Sequence, residues 1–247
     1  MTTDVTPTVA ARVGGFSLLF VTFLGFFGQG LRAVLIVKDS AGAIKESQTF
    51  DNLAKHEVLF RAALMAFILI NMLDCIISWS IYVFFKRASP QMSLLCVLFR
   101  LAYVAAFLPC LAGSISPVLR ALSVQSARGI GPHLQLFADA WQVSFMFFGS
   151  HLILLGYLLS TLPARSGDAE SVPRWLGPAV ATGGVGYILD NGWKLVTTGS
   201  GLPALTDVPV LGVLLFVSFL TELLFMGWWI LRGFKDVKDE GEYAEMQ

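Results

Sequence analysis

The sequence predicts an all-α polytopic membrane protein, and three observations predict it. Of 247 residues, 55% are hydrophobic, 13% are aromatic and only 14% are charged, about half the charged share of an ordinary soluble domain. Six apolar stretches each reach the roughly 20 residues that a helix needs to cross the hydrocarbon of a bilayer. Turn residues and charges punctuate the stretches, as short connections between helices require. Collagen-like, disordered and disulfide-rich classes are excluded by the aliphatic content, the aperiodic glycines and a count of three cysteines.

The first stretch runs from about Gly14 to Val37. Arg12 is the only basic residue shortly before it and no small-residue cleavage pattern follows, so it reads as a first transmembrane helix and not as a removed leader. The second runs from Phe60 to Phe85 and the third from Met92 to Val118, joined by the tight basic turn Lys86-Arg87-Ala88-Ser89-Pro90. The fourth, Leu134 to Leu162, follows a break at Gly129-Ile130-Gly131-Pro132, where Pro132 suits a first helical turn. A polar linker, Pro163 to Pro173, leads to the fifth, Trp175 to Thr197. The turn Thr198 to Pro203 leads to the sixth, Val208 to Leu231. The mixed-charge connection Lys38 to Leu59 has room for a short surface helix, and Leu119 to Gly131 should lie at the interface. Residues 1–233 therefore form one six-helix domain, and 234–247 an acidic cytoplasmic tail.

Six spans place both termini on one side. Assigning that side to the cytoplasm gives it the purely basic Lys86-Arg87 turn together with Arg12, Arg165, Arg174 and Arg232, so the orientation is N-in, C-in. Trp175, Trp228 and Trp229 near the inner ends, and Trp141 and Trp193 nearer the outer ends, fit interfacial belts. The net charge is zero, which gives no footprint for nucleic acid. Cys75, Cys96 and Cys110 lie in apolar runs and read as small buried hydrophobes.

The informative residues are the charges that hydropathy forbids, because an ionisable group at mid-membrane must be paired, hydrated or functional. Counting from the inner boundary at about 1.5 Å per residue, Asp74 lies roughly 18 Å deep, Arg100 roughly 12 Å, His151 roughly 17 Å and Glu222 roughly 14 Å. With Asn71 they define a buried polar core contributed by four spans. Asp74 and Arg100 lie on neighbouring antiparallel helices, where a bidentate guanidinium–carboxylate contact would neutralise both. Such a pair either fixes helix register or takes part in a relay. A shallower polar layer towards the outer face comprises Arg32, Arg61, Asp139, Asp190 and Lys194. Asp190 and Lys194 are also spaced to satisfy each other within one helix.

Metal binding by His151, Asp74 and Glu222 finds little support, since none has a second ligand three or four residues away. A bis-histidine haem site would need a second histidine at the depth of His151, and His56 and His133 lie near the surface. Ser150 and His151 are adjacent and point to different helix faces, which does not suit nucleophilic catalysis. Gly183-Gly184-Val185-Gly186 reads as small-residue helix packing.

The polar positions and their order resemble a known family. Leu31-Arg32 closes the first span, Leu59-Phe60-Arg61 opens the second and Met72-Leu73-Asp74 sits within it. Leu98-Phe99-Arg100-Leu101 marks the third, and the most specific piece is Phe147-Phe148-Gly149-Ser150-His151-Leu152-Ile153-Leu154-Leu155-Gly156-Tyr157-Leu158. Pro173-Arg174-Trp175-Leu176-Gly177, Gly186-Tyr187-Ile188-Leu189-Asp190, and Thr221-Glu222 with Trp228-Trp229 and Gly233 complete the series. In these features the chain is similar, from about Ala11 to Gly233, to the bacterial six-helix membrane family known as domain of unknown function 4386. The resemblance implies a multi-pass protein of the bacterial inner (cytoplasmic) membrane and supplies no reaction, ligand or catalytic residue.

The reading that follows is an integral membrane protein with a buried ionisable core and no cofactor, acting as a non-enzymatic accessory or scaffolding component among lipid, protein partners or copies of itself. The alternative is a small transporter or proton-coupled sensor in which Asp74, Arg100, His151 and Glu222 form the relay.

Overall fold

The computed structural model describes residues 5–39, 42–166, 172–197 and 216–232, apart from the side chains of 110 and 162–166. Over these residues the protein is helical: α1 Pro7–Leu35, α2 Glu46–Lys55, α3 Glu57–Phe85, α4 Pro90–Ser123, α5 Ile130–Ser166, α6 Leu176–Thr197, and α7 over 216–232. The acidic tail 234–247, the linker residues Asp168, Glu170 and Ser171, and the turn from Thr198 through the start of the expected sixth span lie outside the described residues.

Four of these helices, α1, α3, α4 and α5 over Ile130–Thr161, are long and apolar enough to cross a membrane. The helix α6 has sufficient length at 22 residues, but its glycines, Asp190, Asn191 and Lys194 lower its hydropathy. Only 17 residues of α7 are described.

Local chemistry sets the helix ends. Thr6 caps α1 by accepting from the Val9 N–H at 3.3 Å, with Pro7 in the first turn. Pro90 opens α4 after the Lys86 turn, where its missing N–H is no loss. The surface helix that the Lys38–Leu59 connection could accommodate is α2, and it fastens three segments together. The Thr49 hydroxyl accepts from the Val37 N–H at 3.0 Å, and the Asn52 amide donates to the Leu35 carbonyl at the end of α1. The Glu46 carboxylate accepts from the N–H groups of Gly129 and Gly131, at 3.1 and 2.9 Å. A carboxylate there meets the unsatisfied donors and the positive end of the α5 dipole.

Both ends of the 119–131 connection are more helical than expected, because α4 continues to Ser123 and α5 begins at Ile130. Gln125 and Gly129 take positive φ in the remaining turn.

The packing order is cyclic. Neighbours α1 and α3, α3 and α4, α4 and α5, and α5 and α6 lie against one another. The helix α7 then closes on both sides: Ser218 donates to the Gly183 carbonyl of α6 at 3.3 Å, Phe219 meets Phe26 of α1 edge-to-face, and Trp229 and Ile230 fill the space above Gly14 and Gly15. Trp229 is fully buried and stacks against Phe225, so it is a core residue and not part of an interfacial belt. Trp141 is likewise a core contact, packed among Phe67, Phe107 and Phe145. Trp175 and Trp193 are exposed.

Small residues set the tightest seam. A Cβ on Gly149 of α5 would stand 2.6 Å from the Gly184 carbonyl oxygen of α6, and one on Gly156 would stand 2.5 Å from that of Gly177. These two backbone contacts, seven residues apart on each helix, are the close approach that small residues permit in helix packing. The perimeter carries large apolar side chains instead: Phe20, Phe23, Val34, Val58, Val196 and Phe216 are all more than half exposed. Among the described cysteines, Cys96 is buried but Cys75 is on this perimeter, which corrects the expectation that all are core hydrophobes.

Candidate functional site: a buried ionisable cluster

Periodicity on each helix places the polar residues inward. Asn71, Asp74 and Ser78 on α3 are all within 2% of complete burial, Arg100 on α4 is 3% exposed and His151 on α5 is fully buried. Three of them meet. Nε and Nη2 of Arg100 both donate to Asp74 Oδ1, the former at 3.0 Å, and Nη1 points at His151 Nε2 at 3.0 Å. The contact is not the two-oxygen fork expected from the sequence, because the guanidinium leans along α4 to reach two partners at once. Asp74 Oδ2 is left without a partner.

This geometry fixes the state of the imidazole. A guanidinium nitrogen can only donate, so Nε2 of His151 must present its lone pair and the ring proton sits on Nδ1. Nδ1 is 3.0 Å from the Cys96 carbonyl, a suitable acceptor, and 3.2 Å from Cys96 Sγ. His151 is therefore an acceptor for Arg100 and neutral in this arrangement, since an imidazolium would set N–H against N–H. The ring of Phe148 completes the site, with its centroid 5.4 Å from the Arg100 guanidinium carbon and 5.8 Å from that of the His151 ring.

Glu222 comes from α7. It lies within electrostatic reach of the Tyr187 hydroxyl of α6, of Arg100 and of Asp74. The residue is partly buried, and its Oε1 is fully buried without a partner. Tyr103, one turn from Arg100 on α4, is buried within reach of all three charges. Helices α3 to α7 thus converge on one polar region. Asn71 shares the face, but its amide donates to the Phe67 carbonyl of its own helix at 2.7 Å and its Oδ1 is unpartnered.

The outer set does not form one connected cluster. Arg61 forms an exposed pair with Glu57 one turn earlier, at 2.6 Å. Lys194 pairs with Asp190 within α6 at 2.6 Å. Asp139 accepts from Gln135 at 2.7 Å on α5. Arg32 donates to Gln29 at 3.3 Å and lies over the Phe137 ring. Each uses the i±3 or i±4 neighbour that a helix supplies first.

Among the described residues no three His, Cys, Asp or Glu side chains are grouped so as to hold a metal ion. Arg100 itself occupies the space between His151 and Asp74. Tyr103, Phe148 and the Cys96 carbonyl join the site without having been expected from the sequence. The signal was present: Cys96 and Tyr103 stand four before and three after Arg100, and Phe148 three before His151, on the same helix faces.

Comparison with known proteins adds context to this geometry. The model of the family described as Domain of unknown function (DUF4386) matches residues 13–233, nearly the whole chain. An uncharacterized protein of Archaeoglobus fulgidus is 26% identical over 173 residues, which cover 70% of this chain and 85% of that protein. No solved structure matches.

Proposed function

This chain belongs to the DUF4386 family, and we propose that it is a non-enzymatic, six-span component of a cytoplasmic membrane whose polar core responds to protons. The six-span reading is supported by the length of α6, about 33 Å at 1.5 Å per residue, and by the position of α7 between α1 and α6. The basic Lys86-Arg87 turn supports placing both termini in the cytoplasm.

One observation carries the functional part. Two carboxylates, Asp74 and Glu222, lie within electrostatic reach of a single guanidinium among the described residues, and that guanidinium is committed to Asp74 Oδ1 and His151. Asp74 Oδ2 and Glu222 Oε1 are buried without partners. Among the described residues the cluster is one positive charge short, which is the charge of one proton, and buried charge without compensation is unfavourable. Because the imidazole is held as an acceptor, His151 is a positioning group for Arg100, and Glu222 with Tyr187 is the exchangeable end. Glu222 lies on α7, the helix that closes the ring, so its protonation state bears on how α7 seats against α6. Such an equilibrium can be handed to a partner protein or can gate a path.

The test is infrared difference spectroscopy of the lipid-reconstituted protein across a pH change. A carboxylic-acid carbonyl band that responds to pH should be present in the wild type, absent in Glu222→Gln and displaced in Tyr187→Phe. Absence of any Glu222-dependent band would overturn the proposal. Proton flux across proteoliposomes that needs Glu222 would assign the small-transporter role, and a band without flux the sensor role.

A further inference from the structure

A second polar region lies at the α2 end of the bundle, away from the ionisable cluster. There a cavity of about 340 Å³ opens between the end of α1, the start of α5 and the Lys38–Ile44 bridge that closes the intervening loop. Its size falls in the range of small-molecule sites, roughly 300 to 1,000 Å³. The polar groups facing it are Gln29, Arg32, Lys38 and Gln135.

These groups are biased towards donation. Arg32 gives one N–H to Gln29 Oε1 in a long 3.3 Å bond, and it has no ion pair among the described residues. That bond leaves Gln29 Nε2 buried without an acceptor. The Phe137 ring, 5.5 Å from the guanidinium carbon, supports Arg32 from one face. Two carboxylates stand close by, and neither lines the cavity: Asp39 accepts from the Ala43 N–H at 2.9 Å, and Asp139 accepts from Gln135 at 2.7 Å. Two cations lining a cavity of ligand size, with no carboxylate among its lining residues, are what an oxyanion needs.

Arg32 stands three residues from the end of α1, about 5 Å along the axis, a depth at which lipid phosphates lie. It also borders an apolar crevice walled by Leu35, Phe60 and Phe137, in which the Ser114 hydroxyl is buried without a partner. We propose that this cavity is a binding site for a phosphate-type oxyanion, with Arg32 and Lys38 as the charged ligands. The anion is either a lipid head group or free phosphate, and the two sources share this chemistry. The site is independent of the Glu222 proposal.

The test uses the full chain in neutral detergent and in nanodiscs of phosphatidylcholine with or without phosphatidylglycerol. Bound lipid is read by native mass spectrometry, and inorganic phosphate is titrated by thermal shift. Arg32→Gln and Lys38→Gln should each weaken retention or phosphate protection by about tenfold, as the loss of a charge-assisted contact implies. Arg32→Lys should keep most of it and so separates charge from folding. Arg61→Gln removes the same charge at an exposed site outside the cavity and should have no effect. Selective retention of phosphatidylglycerol with no response to phosphate identifies a head-group site; protection by phosphate identifies a free oxyanion site. The proposal is overturned if neither probe shows an Arg32-dependent effect, or if Arg61→Gln weakens binding as much as Arg32→Gln.

Discussion

Replacing Arg100 by alanine should be among the most damaging single changes available to this protein. Asp74 is 1% exposed, and both donors to its Oδ1 come from Arg100, so the substitution leaves a buried carboxylate alone. Removing one partner of a buried pair costs about 3–5 kcal/mol. For a chain of this size that corresponds to a melting temperature roughly 6–20 °C lower, at about 2–4 °C per kcal/mol. Adding Asp74→Ala removes the stranded charge and should restore part of the loss. Restoration stays incomplete, because His151 Nε2 also loses its donor, at about 1–3 kcal/mol for a buried acceptor. A third change, His151→Phe, removes that acceptor and should raise the melting temperature again. Thermal unfolding of the wild type, Arg100→Ala, Asp74→Ala and the double mutant in one detergent, compared as a double-mutant cycle, measures the coupling, with the triple mutant run alongside. If Arg100→Ala with Asp74→Ala melts no higher than Arg100→Ala alone, the pair does not hold α3 to α4 and the reasoning fails.

Other substitutions follow from the same geometry. Gly149→Ala drives a methyl group into the Gly184 carbonyl and should cost about 1–3 kcal/mol by overpacking; Gly25, with nothing within 4 Å, should tolerate alanine without loss, and melting curves compare the two. Glu46→Ala removes the acceptor for two N–H groups at the start of α5 and should cost about 1–2 kcal/mol, with faster amide exchange confined to that turn. Arg61→Gln breaks an exposed i,i+4 pair and should change stability by less than about 0.5 kcal/mol, a null result in the same melting assay.

How legible all this is in the sequence depends on the kind of constraint. The apolar stretches define α1, α3, α4 and α5 closely, because a bilayer-length run of hydrophobes has few alternatives to a helix. Their ends move by several residues: α5 extends to Ser166 although Pro163 had suggested an earlier stop. The meeting of Asp74 with Arg100 follows from a short turn and an inward face. The single-oxygen geometry does not, since it depends on His151 competing for the same guanidinium across a third helix. The sequence places Arg61, Asp139, Asp190 and Lys194 at one depth, but they do not share a site. Depth says nothing about azimuth, and each has a nearer partner on its own helix. Trp229 misleads for a related reason: a tryptophan near a span end reads as an interfacial anchor, yet Gly14 opposite it on α1 makes room for a buried ring.

The paired glycine contacts between α5 and α6 have a mechanical consequence. Two backbone-to-backbone touch points seven residues apart, flanked by Ile153 and Ile188, hold the helices too close to slide or roll past one another without a clash. They must travel as one stiff blade. Any rearrangement set off beside Glu222 is thereby channelled to the seams on either side of that blade, where Ser218 meets Gly183 and where Arg100 reaches His151. An interhelical distance measured across α5 and α6 should stay constant while one measured from α6 to α7 changes.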